Sequence, residues 1–540
     1  MIINSTDLES DTIIETDICV AGAGVAGICF AREFNNSDID IVILESGSKE
    51  PDDELSDLLN SAINVGLPYS KLNDRRARAI GGSSHSWSIT LPDNSEGPRL
   101  RSLDKIDFEK RDWVPYSGWP ITKADLDPYY KKAHALFEIG PYRYDAEYWL
   151  NKQDHIKLPL DDEVVLTTVF HFARRESFTG KRINELEKSE NIKVYINATA
   201  VNIHVNEEAN QAGYIIASDL NGKRFKVKAR YFILAMGAVE TPRLLLLSDG
   251  IMKNGVGNQN DLVGRFFMEH PHIKSGIFYP SGRKIIDRMD FYNMHMRDGV
   301  PIMGKLALTE GSIRREKLLN FSAQLRSTPA RELGKADKSF RHLAKAIKRL
   351  KIPDNMGHHV GTLFRNLDLM HYVLLRNTLN GGKDRWYNEK YEYHGFEVIV
   401  MSEQTPDPES KLTLDHSRDR FGQKEIKLNW KLNSQDIRSI IRSQKIIDRE
   451  LRNSKLGKLN IELKDNSIPD DLTGGWHHMG TTRMSVDPKQ GVVDKNCCIH
   501  GIANLYVAGP SVFPTCGYAN PVLTIAALSI RLADHLKGLF

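Results

Sequence analysis

The sequence predicts an α/β protein with a parallel sheet, in a chain long enough for two domains. Two patterns and the length carry that expectation. Near the N-terminus an apolar run from Ile13 to Ala21 meets a glycine loop, then a helix-compatible ICFAREF, then a second apolar run ending at Glu45. That is the order strand, loop, helix, strand. From Asn191 to Ala235 the short apolar runs VYINA, VNIHV, YIIAS and FKVKA suggest a β-meander that returns through YFILAMG to the parallel sheet. At 540 residues, 41% hydrophobic and 26% charged, the chain has ordinary globular composition and enough apolar material for two cores.

Composition excludes several classes of function. The 73 lysines and arginines nearly balance 70 aspartates and glutamates, so the overall charge offers nucleic acid no general binding surface. The five cysteines, Cys19, Cys29, Cys497, Cys498 and Cys516, are odd in number and partly inside apolar runs. That argues against a disulfide framework and for a reducing, cytoplasmic setting. Cys497 and Cys498 read as small buried apolar residues rather than a redox pair. The opening MIINSTDLESDTIIETD carries acids where a secretory leader needs a basic region, and no apolar run is long enough to cross a bilayer. His85, His270, His272, His358 and His359 lack carboxylate or cysteine partners at ligand spacing, so no metal is expected.

The N-terminal loop reads Gly22-Ala-Gly24-Val-Ala-Gly27, a pattern that suits a dinucleotide. Gly22 permits the turn, Gly24 lets backbone amides approach a pyrophosphate, and Gly27 lets the helix pack on the sheet. The helix N-terminus attracts the anion. Glu45 stands where an acid accepts a ribose 2′-hydroxyl. The loop alone does not separate one dinucleotide from another. Downstream, Gly81-Gly82-Ser83-Ser84 again brings small residues together where backbone can approach a ligand.

The C-terminal region holds the candidate chemistry. It reads GGWHHMGTTRM, then an apolar strand from Asn504 to Ala508 that runs into Gly509, then ANPVLT at the start of a small-residue helix from Pro521 to Leu536. Asn520 and Pro521 stand at that helix's N-terminal edge, where negative charge on a reduced flavin ring can be held.

In order along the chain, GAGVAG with Glu45, GGSSHSW, GAVETPRLLLLS, HHMGTTRM and NLYVAGPSVFPT with ANPVLT resemble the glucose-methanol-choline (GMC) oxidoreductases, on the side of pyranose oxidase and the sugar and glycoside dehydrogenases. The resemblance implies an FAD-binding Rossmann-like domain made of residues 1–90, 191–270 and 475–540. It also implies a discontinuous substrate domain, 91–190 and 271–474, built on an antiparallel β-sheet with helices. It places FAD on Gly22, Gly24, Gly27, Glu45, Gly81, Gly82, Ser83, Gly509 and Pro521. His477 becomes the catalytic base, with His478 as the runner-up, and Asn520 the residue that orients the substrate oxygen. Where some relatives carry a histidine bonded covalently to the flavin, this chain has Ser86, with His85 one residue short, so noncovalent FAD is expected.

The expected reaction is oxidation of a hydroxyl to a carbonyl on a sugar, glycoside or cyclitol. The alternatives are a sterol or aliphatic alcohol, or a nonredox lyase that keeps FAD as a structural group. The electron acceptor stays open among oxygen, a quinone and a redox protein. Within the substrate domain, residues 107–136 and the stretch from FEVIVMSEQTPDP to KEIKLNW read as loops and strands, with Trp113, Trp119 and Tyr129 as candidate sugar-stacking rings. From Arg326 to Lys351 nine lysines and arginines face two acids on a helix-compatible stretch. It opens a basic insertion, 326–379, that reads as a solvated helix or a contact for a membrane or protein.

Overall fold

The computed structural model describes residues 1–52, 62–69, 72, 75–150, 156–327, 331–348, 355–365, 395–463 and 472–540. Two large sheets organise them. The first has eight strands in the order Ile2–Asn4, Ile192–Ile196, Ile41–Leu44, Ile13–Ala21, Arg224–Leu234, Ala212–Ser218 and Thr199–Val205, with Leu505–Val507 also paired to Arg224–Leu234. Ile2–Asn4, Ile192–Ile196, Ile41–Leu44, Ile13–Ala21, Arg224–Leu234 and Leu505–Val507 are parallel to their neighbours. Ile41–Leu44 is a continuous apolar run with all four residues buried, as befits a strand inside a parallel sheet.

The meander expected from Asn191 onward is divided. Ile192–Ile196 joins the parallel sheet, and the antiparallel meander begins only at Thr199. Asn197 adopts a left-handed backbone (φ 55°), which short polar side chains tolerate, and this breaks the first strand from the rest.

The second sheet is antiparallel, in the order Gly457–Ile461, Pro271–Pro280, Phe396–Ser402, Phe321–Ser327, Val300–Leu308, Val165–Phe172 and Arg99–Leu100, with His295–Arg297 and Thr473–Gly474 as side pairs. This is the mixed α/β architecture the sequence predicts, with a parallel and an antiparallel sheet side by side.

Residues 107–136 differ from the loop-and-strand expectation. They contain the helix Lys123–Phe137, started by a capping box in which Thr122 and Asp125 each bond the other's backbone N–H. Its inner face packs on the C-terminal helix Val522–Lys537, where the Tyr130 and Thr524 hydroxyls meet at 2.8 Å. The basic stretch also departs from expectation at its start. Arg326 belongs to the strand Phe321–Ser327 and pairs with Glu397, and helices follow at Arg331–Lys348 and Met356–Arg365. Residues 366–379 of that expected insertion lie outside the described residues. Among the described residues no helix is long and apolar enough to cross a membrane. All five cysteines are free thiols, with Cys497 buried and Cys498 half-buried.

Candidate active site

The glycine loop is shaped by three different constraints. Gly22 has φ +106°, and a Cβ on it would lie 2.7 Å from the Ala235 carbonyl oxygen, so no side chain fits at that end of the strand. A Cβ on Gly27 would collide with the Gly22 carbonyl, which is the close packing of helix on loop expected there. Gly24 is the N-cap of the helix Val25–Arg32, and a Cβ on it would meet nothing within 4 Å. Open space in front of this one glycine, facing a helix N-terminus, is the cradle a diphosphate needs.

Glu45 ties the loop to the next strand. One carboxylate oxygen accepts from the Ala23 N–H at 2.9 Å and the other from the Gly47 N–H at 2.9 Å. Oε1 also accepts from the Ser46 hydroxyl at 3.3 Å, and Oε2 keeps a second acceptor site for a ribose hydroxyl. Burial raises its pKa, and these hydrogen bonds oppose the rise. The second glycine loop lies against the first. Gly81 N–H donates to the Ala23 carbonyl at 2.8 Å, and a Cβ on Gly82 would stand 3.1 Å from the Gly24 Cα.

A cleft of about 480 Å³ is lined by Gly22, Gly24, Glu45, Gly82, Ser83 and Pro521, and also by His477 and Asn520. Gly27, Gly81 and Gly509 do not line it. Gly27 has the helix-packing part expected of it, and Gly81 and Gly509 shape the backbone beside the cleft. Gly509 (φ +131°) faces the Ala26 side chain, where its missing Cβ would be 3.9 Å from Ala26 Cβ. The residues that line the cleft fit FAD: a glycine with open space at a helix N-terminus, a buried acid, and Arg75, Arg76 and Arg78 on the wall. His85 bonds the Ile80 carbonyl at 2.9 Å, while Ser86 lines the cleft.

His477 reaches the cleft on a strained loop. Trp476 before it is left-handed (φ 55°), a conformation costing a non-glycine residue about 1 kcal/mol or more. Gly475 has no Cβ to obstruct the imidazole, since one would lie 2.6 Å from His477 Nδ1. The His477 backbone N–H donates to Glu269. Burial pushes that carboxyl up to about 8, against the opposing effect of its hydrogen bonds. Glu269 also accepts from Tyr69 Oη at 2.7 Å, and Tyr69 meets His478 Nε2 at 3.0 Å. Both histidines line the cleft, His478 bonded to a tyrosine and His477 to Asn520.

The proton positions around His477 follow from one donor. An arginine has no acceptor, so Arg99 Nε donates to Asn520 Oδ1 at 3.1 Å and fixes that amide's orientation. Asn520 Nδ2 then faces His477 Nε2 at 3.0 Å and donates to it, which makes Nε2 the ring's lone-pair nitrogen. The proton on neutral His477 is on Nδ1, which donates to His270 Nδ1 at 2.9 Å. His270 in turn carries its proton on Nε2, which faces the Cys516 carbonyl at 3.2 Å. Burial, then His270, His272 and Arg99, hold the His477 pKa well below the usual imidazole value. Burial likewise lowers His270 to about 4.

Sequence reasoning missed Arg99, His270 and Glu269, and treated His270 and His272 only as packing or pocket histidines. His270 touches His477 directly, and His272 lines the cleft with no hydrogen-bond partner on Nε2. The run MEHPH was the available signal, since two histidines with an acid begin a strand there. The aromatic expectation is corrected too. Trp113 donates to the Leu318 carbonyl at 2.9 Å, Trp119 to Thr515 Oγ1 at 2.8 Å, and Tyr129 packs against the core. None of the three lines the cleft, whose aromatic side chains are Trp87, Phe421 and Trp476.

Two family models, both described as GMC oxidoreductase, match residues 164–272 and 406–529. The chain is 26% identical over 324 residues to the fructose dehydrogenase large subunit of Gluconobacter japonicus, an alignment covering 59% of this chain and 49% of that protein. It is 27% identical over 341 residues to 2-methyl-1,2-propanediol dehydrogenase of Mycolicibacterium austroafricanum, covering 62% and 52%. The chain thus spans about half the length of these curated relatives. A crystal structure of formate oxidase shares the fold, with a TM-score of 0.51 at 17% identity over 98% of this chain and 99% of the other.

Proposed function

Because the chain carries both matching domains and belongs to the GMC oxidoreductases, we propose that it oxidises a hydroxyl of a sugar, glycoside or cyclitol to a carbonyl, with His477 as base and Asn520 as orienting donor. When bound, FAD supplies the acceptor for the hydride leaving the carbinol carbon. One observation carries the reading: a single cleft is lined by both the glycine loop and the His477–Asn520 pair.

The chain's own groups divide the work. His477 Nε2, held unprotonated, takes the hydroxyl proton. For this the substrate oxygen must take the place of Asn520 on the Nε2 lone pair, and the freed Asn520 N–H then donates to that same oxygen and fixes its direction while its charge changes. Arg99 keeps the amide facing this way, and His270 keeps the His477 proton on the far nitrogen. The engagement of His85 with a backbone carbonyl supports a noncovalent cofactor. The test is anaerobic stopped-flow mixing with sugars, glycosides and aliphatic alcohols, followed by reoxidation with oxygen and with quinones. Bleaching of the flavin by sugars is expected; a cofactor that no hydroxyl compound bleaches overturns the proposal.

Two further outcomes follow from the proton positions. An ordinary imidazole is half protonated near pH 6.5. The His477 pKa is depressed, so its basic form persists below that point and the rate of flavin reduction stays flat as pH falls from 8 to 6. A reduction rate that halves near pH 6.5 would show that the imidazole titrates normally. For His270→Leu we expect a loss of about tenfold in that rate, the cost of a buried donor left without its acceptor. His270→Gln, whose amide oxygen can accept from Nδ1, restores most of it. Equal losses in both variants would assign His270 to packing alone.

A further inference from the structure

The antiparallel sheet presents one buried cation, Arg99, to the cleft, and Lys305 lies on the same sheet face outside the cleft lining; among the described residues no carboxylate bonds either. Arg99 is 9% exposed and lines the cleft, yet its guanidinium meets only neutral groups: Asn520 Oδ1, Gln324 Oε1 at 3.3 Å and Met401 Sδ at 3.5 Å. Lys305 is 1% exposed, and its ammonium lies 4.6 Å from the centre of the Phe170 ring. Arg99 Cζ is 5.5 Å from the same ring. Among the described residues Lys305 Nζ has no hydrogen-bond acceptor, and what acts on it electrostatically is burial and Arg99. For Arg99 burial alone acts, and it brings the guanidinium down to about 10.

Strand register puts these groups on one face. Arg99 pairs with Phe172, Met303 with Phe170 and Lys305 with Thr168, so Arg99, Phe170 and Lys305 share a face of the sheet. Ala307 pairs with Ser322, Ser322 with Met401, and Met401 with His272, which extends the same face across the next three strands. Ser322 Oγ and His272 Nε2 on that face are buried polar atoms without a partner. Uncompensated burial of the Arg99 guanidinium and of two polar atoms is unfavourable unless a ligand answers it, and burial with Arg99 nearby already holds the Lys305 ammonium well below the usual lysine pKa. Every group in the set can donate, and the missing partner is therefore an acceptor with negative charge.

We infer that the hydroxyl compound this chain oxidises carries a carboxylate, and that Arg99 holds it beside His477 and Asn520, with Lys305 on the same sheet face acting at longer range. A sugar acid combines both functions. With Arg99 Nε committed to Asn520, its Nη1 and Nη2 are held only by Gln324 and Met401 at 3.3 and 3.5 Å, and a carboxylate can accept from both. An anion there would also offset the Arg99 charge that depresses His477, making it a stronger base only when the proper substrate is bound. This rests on the hydroxyl-oxidising reading for the substrate's other end.

The test uses the FAD-loaded enzyme and a readout that needs no turnover. Acetate and malonate, neither oxidisable at a hydroxyl, are titrated against the flavin absorption spectrum, with acetamide and inorganic phosphate alongside. Saturable perturbation by the carboxylates, none by acetamide, and binding weakened about tenfold in Arg99→Gln and Lys305→Met are expected. Lys305→Met should also raise the Tm of the ligand-free enzyme, since it removes a buried amine whose charged form burial disfavours, without changing side-chain length. Silence from the carboxylates, perturbation by phosphate alone, or a lowered Tm in Lys305→Met overturns the inference. Carboxylate binding without bleaching by any hydroxyl compound would sink the oxidation reading and leave the anion site standing. Bleaching by neutral sugars without carboxylate binding would do the reverse.

Discussion

His477→Ala is expected to purify yellow and to lose flavin-reduction rate by roughly a hundredfold or more, the range for removal of a positioned general base. Cofactor binding survives because the glycine loop is held by Glu45, Gly81 and the adjoining strands, none of which bonds His477. The loss falls on chemistry because Nε2 is the only nitrogen of that ring left without a proton, and Asn520 cannot replace it, having no base of its own. Anaerobic single-turnover mixing measures the effect directly, and added imidazole should recover part of the rate. His478→Ala is the control. Its ring is bonded to Tyr69, so its removal should change the reduction rate far less. If His477→Ala reduces at the normal rate and His478→Ala does not, the base is His478.

Some of this site was legible in the sequence because its requirements are local. A glycine that must turn, a glycine that must leave space and a glycine that must let a helix approach follow one another within six residues, and the strand before and helix after give them meaning. His477 and Asn520 were legible through their resemblance to a known pattern, each beside recognisable neighbours in HHMGTTRM and ANPVLT. The rest depends on strands brought together from far apart. Nothing near Arg99 in GPRLRS says that its guanidinium will orient an amide at position 520, because an edge strand's partner is set by sheet topology. Lys305 had a faint signal as the one charge in VPIMGKLAL, a strand buried at all nine positions, but its meaning needed the neighbouring strands and Arg99. The sequence left Trp113 and Trp119 open between sugar stacking and core packing, because composition does not show which way a ring faces; their indole N–H groups are satisfied inside the packing.

Gly24→Val should give a soluble, folded and colourless protein. Two features keep the fold intact. The Gly24 backbone has φ −75° and ψ −174°, an extended conformation that a β-branched residue adopts readily, and its Cβ would enter open space. The same open space is where the diphosphate of the cofactor would lie against the helix N-terminus, so the valine methyl groups exclude it and separate it from the amides. Gly27→Ala provides the contrast. Its added Cβ collides with the Gly22 carbonyl, so that variant should lose stability first and colour only as a consequence. Thermal melting and flavin absorbance separate the two. Gly24→Val is expected to melt as the ligand-free wild type does and to stay colourless after incubation with excess FAD, while Gly27→Ala melts lower or fails to accumulate. A Gly24→Val protein that purifies yellow would mean that the cofactor's diphosphate does not approach this loop, and the cleft shared with His477 would lose its chemical meaning.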